Sequence, residues 1–300
     1  MILEVRGLTK KYGDITAVDA IDLGLDRGEI LAVAGPDGAG KTSLFRALAG
    51  LISFDSGEAT IAGHDVRTAH QRIKPLLGYM PQSFSLYPDL SVEENLHFYS
   101  GLFGIRGDTF KERKRRLYEF SGLGPFTGRR AGNLSGGMKQ KLALCCALVH
   151  EPEVLILDEP TTGVDPLSRR QFWDILQSLR AEGSAILLST PYMDEVESAD
   201  RAVLFHHGRR LATARPAELV GAFRGGAYHL RQTASAALMR RIQQIEDIEA
   251  RRFGSSIRFL TPPDYPLDRL EKQLSVLGIT GRVEPSRPVL EDVFIQMMER

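Results

Sequence analysis

Residues 29–44 read EILAVAGPDGAGKTSL, and they are the strongest indication of the fold in this chain. Its first part, Glu29 to Val33, has the apolar run of a buried strand. A glycine-rich loop, Gly35 to Gly40, follows at once, and apolar positions at helical spacing run from Lys41 to Leu51. Upstream, apolar and polar residues alternate from Val18 as far as a turn at Gly28. This alternation predicts one more strand. A strand, a tight loop and a helix in direct succession are typical of an α/β sheet.

The glycine-rich loop has the spacing of a phosphate-binding P-loop: Gly, four residues, Gly, Lys and Thr. Glycines let the backbone wrap closely around phosphates, so that successive N–H groups and the helix N-terminus point at the anion. Lys41 can then reach the terminal phosphates, and the Thr42 hydroxyl can bind Mg²⁺. The predicted nucleotide-binding residues here are Gly35, Pro36, Asp37, Gly38, Ala39, Gly40, Lys41, Thr42 and Ser43.

Two carboxylates follow a second buried-strand pattern. The apolar run Val154–Leu157 leads into Asp158 and Glu159, and another apolar run, Ala185–Leu188, comes after the helical pattern of Arg169–Arg180. Parallel strands joined by a crossover helix bring their carboxyl ends to one edge of the sheet, where ligands gather. We expect Asp158 to hold Mg²⁺ and Glu159 to act as general base toward an attacking water.

The stretch from about residue 91 to residue 148 predicts a helical insert, with candidate helix N-caps at Ser91 and Asp108. Basic side chains cluster in it: Arg106, Lys111, Arg113, Lys114, Arg115 and Arg116. A solvated helix face is the favoured interpretation, and a patch for anionic lipid headgroups is the alternative. The adjacent Cys145 and Cys146 suit neither a disulfide framework nor a zinc site, so we interpret them as small core residues.

Four further stretches carry a resemblance to a family. Leu134-Ser135-Gly136-Gly137-Met138-Lys139-Gln140 resembles the signature motif of ATP-binding cassette (ABC) ATPases. Gln82 resembles the glutamine loop, Gly163-Val164-Asp165 resembles the D-loop, and Tyr12 resembles the aromatic residue that stacks on adenine. The resemblance covers about residues 1–222 and implies a P-loop NTPase, with a RecA-like core sheet and a helical insert that carries the signature motif.

The resemblance also implies roles and partners. Tyr12, Ser135, Gly136 and Gly137 would bind ATP, Gln82 would join Thr42 and Asp158 at Mg²⁺, and the catalytic residues would be Glu159, Lys41 and Gln82. In the ABC family the signature motif binds the γ-phosphate of ATP held by a partner subunit, which implies a homodimer or a heterodimer. The sequences of these motifs are similar to those of bacterial multidrug-type export ATPases, which work with a separate integral membrane permease. The expected protein is an ATP hydrolase attached through that permease to the inner face of the membrane.

One position departs from the family pattern. The family has Ser-Thr-His after the last apolar strand, whereas this chain has Ser189-Thr190-Pro191. Proline has no titratable or hydrogen-bonding side chain, so the transition-state contact of the imidazole is lost. The hypothesis is a subunit that hydrolyses ATP slowly or depends on a better-equipped partner. A regulatory nucleotide-binding subunit and a soluble ABC protein acting on ribosomes or DNA are the alternatives.

The composition is that of a soluble globular protein. The chain has 300 residues, 43% of them hydrophobic, and 38 basic against 38 acidic side chains give zero net charge. This balance argues against a nucleic-acid-binding surface. The longest apolar run, Leu142 to Val149, is far below the roughly 20 residues that span a bilayer. Without a secretion-signal pattern at Met1, we expect a cytoplasmic location.

After Arg224-Gly225-Gly226 no further phosphate-loop motif occurs, and short segments of alternating apolar and polar residues interleave with amphipathic helical patterns. We therefore predict a nucleotide-binding domain over residues 1–224 and a small α+β domain over residues 225–300. The predicted strands of the latter are Ala227–Arg231, Ile248–Arg252, Ser256–Leu260 and Gly281–Pro285, and the predicted helices are Ser235–Ile245, Leu267–Leu277 and Leu290–Glu299. This order suits a split β-α-β sandwich.

Overall fold

The computed structural model describes residues 1–245, 247–279 and 281–298. The chain divides into two compact units, Met1–Pro216 and Ala217–Arg300. The boundary lies before the one expected at residue 225, because residues 217–224 belong with the second unit. No helix in the described ranges is both long enough and apolar enough to cross a membrane.

The first unit is mixed α/β. Its strands are β1 (Leu3–Tyr12), β2 (Ile15–Leu25), β3 (Ile30–Ala34), β4 (Ser56–Ile61), β5 (His64–Asp65), β6 (Leu77–Met80), β7 (Val154–Asp158), β8 (Ala185–Thr190), β9 (Arg201–His206) and β10 (Arg209–Ala214). Its α-helices are α1 (Lys41–Leu48), α2 (His70–Ile73), α3 (Val92–Leu102), α4 (Gly107–Ser121), α5 (Gly136–Leu148), α6 (Pro166–Ala181) and α7 (Met193–Val196).

A six-stranded sheet organises this unit, in the order β10-β9-β3-β8-β7-β6. The pairings of β9 with β3, β3 with β8, β8 with β7 and β7 with β6 are parallel, and β10 pairs antiparallel with β9. Every residue of β3, β7 and β8 is buried, which explains the apolar runs that make up β3 and precede the polar ends of β7 and β8. The parallel sheet confirms the α/β prediction and brings the carboxyl ends of β3, β7 and β8 to one edge.

A second sheet, in the order β2-β1-β4-β5, is antiparallel and shares a core with the first. Leu3 from β1, Val33 from β3 and Phe45 from α1 are all buried in that core. Packing of α1 between the two sheets holds its N-terminal end at the loop after β3.

The insert between residues 91 and 148 is helical, as predicted, and all of its residues are described. Ser91 caps α3 in a reciprocal arrangement: its Oγ accepts from the Glu94 N–H at 3.1 Å, and the Glu94 carboxylate accepts from the Ser91 N–H at 2.7 Å. The N-cap expected at Asp108 is wrong. Helix α4 begins at Gly107 with Arg106 as its N-cap, and Asp108 lies in the first turn.

Five of the six basic side chains in this cluster form ion pairs with neighbouring acids. Ion pairs join Lys111 to Asp108, Arg113 to Glu151, Lys114 to Glu93, Arg115 to Glu119 and Arg116 to Glu182. A cluster with its charge balanced within the chain has little excess positive charge for anionic lipid. These pairs favour the solvated-face interpretation.

The second unit is α+β. Helix α8 (Pro216–Gly221) begins at the last residue of the first unit. The other elements of the second unit are β11 (Gly226–Leu230), α9 (Ala236–Ile242), β12 (Glu249–Phe253), β13 (Ser256–Thr261), α10 (Leu267–Val276), β14 (Val283–Pro285) and α11 (Leu290–Met298). The sheet is antiparallel in the order β12-β13-β11-β14. β13 therefore lies between β11 and β12, which is the arrangement of a split β-α-β unit. Glu299, expected as the end of the last helix, lies outside the described residues.

Candidate nucleotide-binding site

The loop from Gly35 to Gly40 joins β3 to α1, as its sequence predicts. Gly40 has φ 104°, and a Cβ there would lie 2.0 Å from the Ala17 carbonyl oxygen, so this position requires glycine. The Lys41 side chain is only 3% exposed, and its Nζ donates to the Gly35 oxygen at 2.8 Å and to the Pro36 oxygen at 3.0 Å. The lysine side chain thus folds back over its own loop.

Asp158 closes β7 with a carboxylate that is fully buried. Its Oδ1 accepts from Ser189 Oγ at 2.7 Å and from Thr42 Oγ1 at 3.3 Å. Burial raises the pKa of Asp158, and the two hydroxyls oppose that shift. Its Oδ2 is buried without a hydrogen-bond partner. An unpartnered buried carboxylate oxygen is costly, and it suits a bound cation that prefers oxygen ligands.

Glu159 has the left-handed φ of 48°, which is uncommon for a residue with a side chain. Its backbone N–H donates to Ser189 Oγ at 2.9 Å. Its Oε1 lies 3.2 Å from Lys41 Nζ, and its Oε2 accepts from Gln82 Nε2 at 2.9 Å and from Thr162 Oγ1 at 3.2 Å. The fold thus brings together Lys41, Gln82 and Glu159, which are far apart in the chain.

The signature segment lies at the start of α5. Ser135 is the N-cap, and its Oγ accepts from the Met138 N–H at 3.4 Å. A Cβ on Gly137 would lie 2.5 Å from the Ser168 Cβ, so this segment packs closely against the first turn of α6. Among the described residues, no hydrogen bond or ion pair joins Ser135–Gly137 to the loop around Lys41. The structure does not bring these two predicted phosphate-binding segments together within one chain.

Tyr12 ends β1 and is 48% exposed. The Lys10 Nζ lies 4.9 Å from the centroid of its ring. An exposed aromatic ring offers a flat apolar surface to a planar ligand.

Sequence reasoning did not identify Asn95 as a functional residue. Its fully buried side chain accepts from the Tyr87 N–H at 3.0 Å and donates to the carbonyl oxygens of Tyr87, Leu90 and Ser91 at 2.9 to 3.2 Å. Asn95 thereby ties the segment that follows Gln82, through Tyr87, Leu90 and Ser91, to helix α3. The sequence feature that could have indicated Asn95 is a single amide side chain among the apolar positions of a helix.

Ser189 and Thr162 were also not predicted. Ser189 contacts both acidic residues, and Thr162 binds the carboxylate of Glu159. For Ser189, the sequence feature that could have indicated a role is the pair of hydroxyl residues at the end of the otherwise apolar strand β8. Pro191 lies directly beyond that strand and offers no polar side-chain atom.

An apolar cavity of about 440 Å³ opens between the core sheet and the helical insert. Tyr79, Leu86, Tyr99 and Phe103 are among its lining residues. His150 stacks on Phe103 with ring centroids 3.8 Å apart, and burial lowers the pKa of this histidine. The segment held by Asn95 contributes Leu86 to the wall.

Comparison with known proteins decides the family. The family described as "ABC transporter" matches residues 18–162. The chain is 38% identical over 220 residues to Nod factor export ATP-binding protein I of Ralstonia nicotianae, an alignment that covers 73% of this chain and 68% of that protein. This chain belongs to the ABC transporter ATP-binding family. The resemblance inferred from its motifs is confirmed.

Two other relatives of this ABC chain are informative. The probable multidrug ABC transporter ATP-binding protein YbhF of Escherichia coli (strain K12) is 39% identical over 302 residues, covering 99% of this chain and 52% of that protein. The chain therefore spans about half the length of that relative. A solved structure of an ATP-binding subunit of an ABC transporter has a TM-score of 0.67 at 29% identity, covering 73% of this chain and 92% of that one. This likeness confirms the predicted fold.

Proposed function

We propose that this chain is an ATP-binding and ATP-hydrolysing subunit of an exporter-type ABC transporter. The observation that carries the proposal is the meeting of Lys41, Asp158 and Glu159 at the carboxyl edge of the parallel sheet. Relatives named for multidrug transport and for Nod factor export favour transport over a soluble role on ribosomes or DNA.

The nucleotide would bind along the loop Gly35–Gly40. Backbone N–H groups and the N-terminus of α1 suit the phosphates, and Lys41 would exchange its contact with Glu159 for the terminal phosphate. Tyr12 would stack on adenine. Ser135, Gly136 and Gly137, at the N-terminus of α5, would bind the γ-phosphate of ATP held by the partner subunit.

The residues around Asp158 fit Mg²⁺. The unpartnered Oδ2 of Asp158, the Thr42 hydroxyl and the Gln82 amide oxygen are the hard oxygen ligands that this ion prefers. Mg²⁺ would neutralise charge that develops on the phosphates. Once Lys41 has turned to the nucleotide, Glu159 is free to accept a proton from the attacking water.

Two protein partners belong to the proposal. One is a second ABC subunit, identical or different, whose P-loop faces the signature segment Ser135–Gly137. The other is an integral membrane permease at the inner face of the cell membrane, and the apolar cavity beside Asn95 is the surface proposed to receive it. The zero net charge of the chain argues against a nucleic-acid partner.

Purification from its native membranes tests the proposal. A tagged chain extracted in mild detergent with ATP and Mg²⁺ is expected to carry an integral membrane protein identifiable by mass spectrometry, and the complex is expected to hydrolyse ATP. The matched control is Lys41→Ala, which should lose hydrolysis but keep the membrane partner. Recovery of the chain with ribosomal proteins and no membrane partner would contradict the transport proposal.

A further inference from the structure

A buried carboxylate outside the phosphate-binding residues lies close behind them. Glu195 in the short helix α7 is only 4% exposed. Its Oε1 accepts from Thr161 Oγ1 at 2.5 Å, and its Oε2 accepts from Thr190 Oγ1 at 2.7 Å. The side chains of both threonines are buried as well. Glu195 therefore bridges two segments that are separate in sequence.

Arg169 of α6 supplies the countercharge. Its Nε lies 3.2 Å from Glu195 Oε1, and its guanidinium lies 4.2 Å from the centroid of the Tyr192 ring. The Tyr192 N–H donates to Thr190 Oγ1 at 3.1 Å. Burial raises the pKa of Glu195, whereas Arg169 and the two hydroxyls favour the ionised form. A carboxylate with this many partners resists displacement.

The two bridged segments adjoin the acidic pair. Thr161 is two positions beyond Glu159, whose left-handed backbone conformation needs support from its surroundings. Thr190 directly follows Ser189, which hydrogen-bonds both Asp158 and Glu159. A shift of either threonine would move a residue that holds the acidic pair.

We propose that Glu195 is a positioning residue for the nucleotide site, which fixes Glu159 through Thr161 and Thr190. The inference rests on the proposed function, since it assigns Glu195 to the hydrolytic step. It requires Glu195 to affect turnover more than nucleotide binding, because its side-chain contacts are with Thr161 and Thr190 beside the acidic pair. Its link to the loop around Lys41 is, among the described residues, a single backbone hydrogen bond, from the Gly35 N–H to the Thr190 oxygen at 3.4 Å. A misplacement of 1 Å can lower a rate by about 10²-fold.

The test uses the purified full-length chain. Glu195→Gln is expected to lower kcat for ATP by about tenfold with KM changed less than twofold, as misplacement of the base predicts. The matched control is Glu197→Gln, which changes an exposed carboxylate two positions along the chain, and it should leave both constants unchanged. Thr161→Val should repeat the loss, and Thr161→Ser, which keeps the hydroxyl, should restore kcat.

Amide hydrogen exchange gives a readout that does not depend on hydrolysis. Exchange over residues 159–165 is expected to speed up in Glu195→Gln and in Thr161→Val, but not in Glu197→Gln or Thr161→Ser. Unchanged exchange, or a kcat equal to that of the wild type, would overturn the positioning role. A wild-type chain that binds ATP without hydrolysing it would contradict the proposed function instead, and the exchange measurement would still decide the role of Glu195.

Discussion

Two buried ion pairs, one in each unit of the chain, differ in how completely their charges are matched. In the first unit Lys41 and Glu159 are 3% and 4% exposed, and a single 3.2 Å contact joins their charges. In the second unit Arg258 and Asp292 are 1% and 0% exposed. Arg258 donates to Asp292 from Nε at 2.9 Å and from Nη2 at 2.5 Å.

Further hydrogen bonds from neighbouring residues increase this difference in how completely the charges are matched. Arg258 also donates to Ser286 Oγ at 2.8 Å and to the Arg287 oxygen at 2.6 Å, and Asp292 accepts in addition from Arg251 and from the Val289 N–H. Every nitrogen of the Arg258 guanidinium and both oxygens of Asp292 therefore have a partner. The Arg258–Asp292 pair itself therefore has no polar atom left over for a ligand, whereas the adjoining Arg251 has its Nε and Nη1 buried without a hydrogen-bond partner.

The Lys41 cluster is unbalanced. Two adjacent carboxylates, Asp158 and Glu159, face one lysine, which among the described residues is the cation that forms an ion pair with either of them. Asp158 Oδ2 has no partner. Buried polar groups are almost always satisfied, so an excess of negative charge with a free oxygen indicates a place for a ligand. The comparison separates a cluster built to exchange partners from one built to hold a helix to a sheet.

The largest expected effect is at Glu159. Glu159→Gln should lower ATP turnover by about 10²–10⁴-fold, because the general base is lost. Nucleotide affinity should stay near that of the wild type, since Lys41 keeps its loop contacts. Steady-state hydrolysis and binding of a fluorescent ATP analogue measure the two quantities. Normal hydrolysis by this variant would show that Glu159 is not the base.

The corresponding change in the other cluster should affect stability. Asp292→Ala leaves Arg258 buried and unpaired, and we expect the free energy of unfolding of the second unit to fall by about 3–5 kcal/mol. Hydrogen exchange of peptides from β13 reports on that unit. Glu291→Ala, which removes the neighbouring, half-exposed carboxylate, is the control. If Asp292→Ala also lost nucleotide binding, the cluster in the second unit would not be purely structural.

Ligand binding should distinguish the clusters directly. ATP with Mg²⁺ at about 100 times its Kd should stabilise the protein by about 2.7 kcal/mol. The resulting protection should appear in hydrogen exchange of β3 and α1, and β13 should not change. Equal protection of β13 would mean that the second unit also responds to nucleotide.

Pro191 tests whether the Lys41 cluster is catalytically complete. Pro191→His restores a donor next to Ser189 and Thr190, and we expect turnover to rise by about tenfold, below the full 10²–10³-fold value of a positioned donor. Pro191→Ala is the control for loss of the proline ring alone. Robust turnover in the wild type, unchanged by histidine, would show that this cluster needs no such donor.

The smallest effect is expected where an ion pair is exposed. Arg115 and Glu119 form an i,i+4 pair on α4 with side chains 67% and 63% exposed. Arg115→Ala should change the free energy of unfolding by less than about 0.5 kcal/mol. Urea denaturation measures this change. A loss as large as that in Asp292→Ala would show that burial is not what distinguishes these pairs.

Much of the first unit could be predicted from its sequence. The strand, loop and helix around Lys41 and the capped helix after Ser91 depend on neighbouring residues, and their patterns are local. Asp108 was misassigned because a positive φ at Gly107 let α4 begin earlier than the side-chain pattern indicates. Asn95, Ser189 and Glu195 were missed because their partners are brought close only by folding.

Motif spacing and strand periodicity act over a few residues, so the sequence alone was enough to predict the family, the loop that suits phosphates and the acidic pair at the end of β7. Tertiary structure decided that Glu159 pairs with Lys41, that Asp158 keeps an unpartnered oxygen, and that Glu195 bridges Thr161 and Thr190. Those facts depend on the order of strands in a parallel sheet. Parallel pairing joins segments far apart in the chain, and no local pattern specifies which side chains then meet.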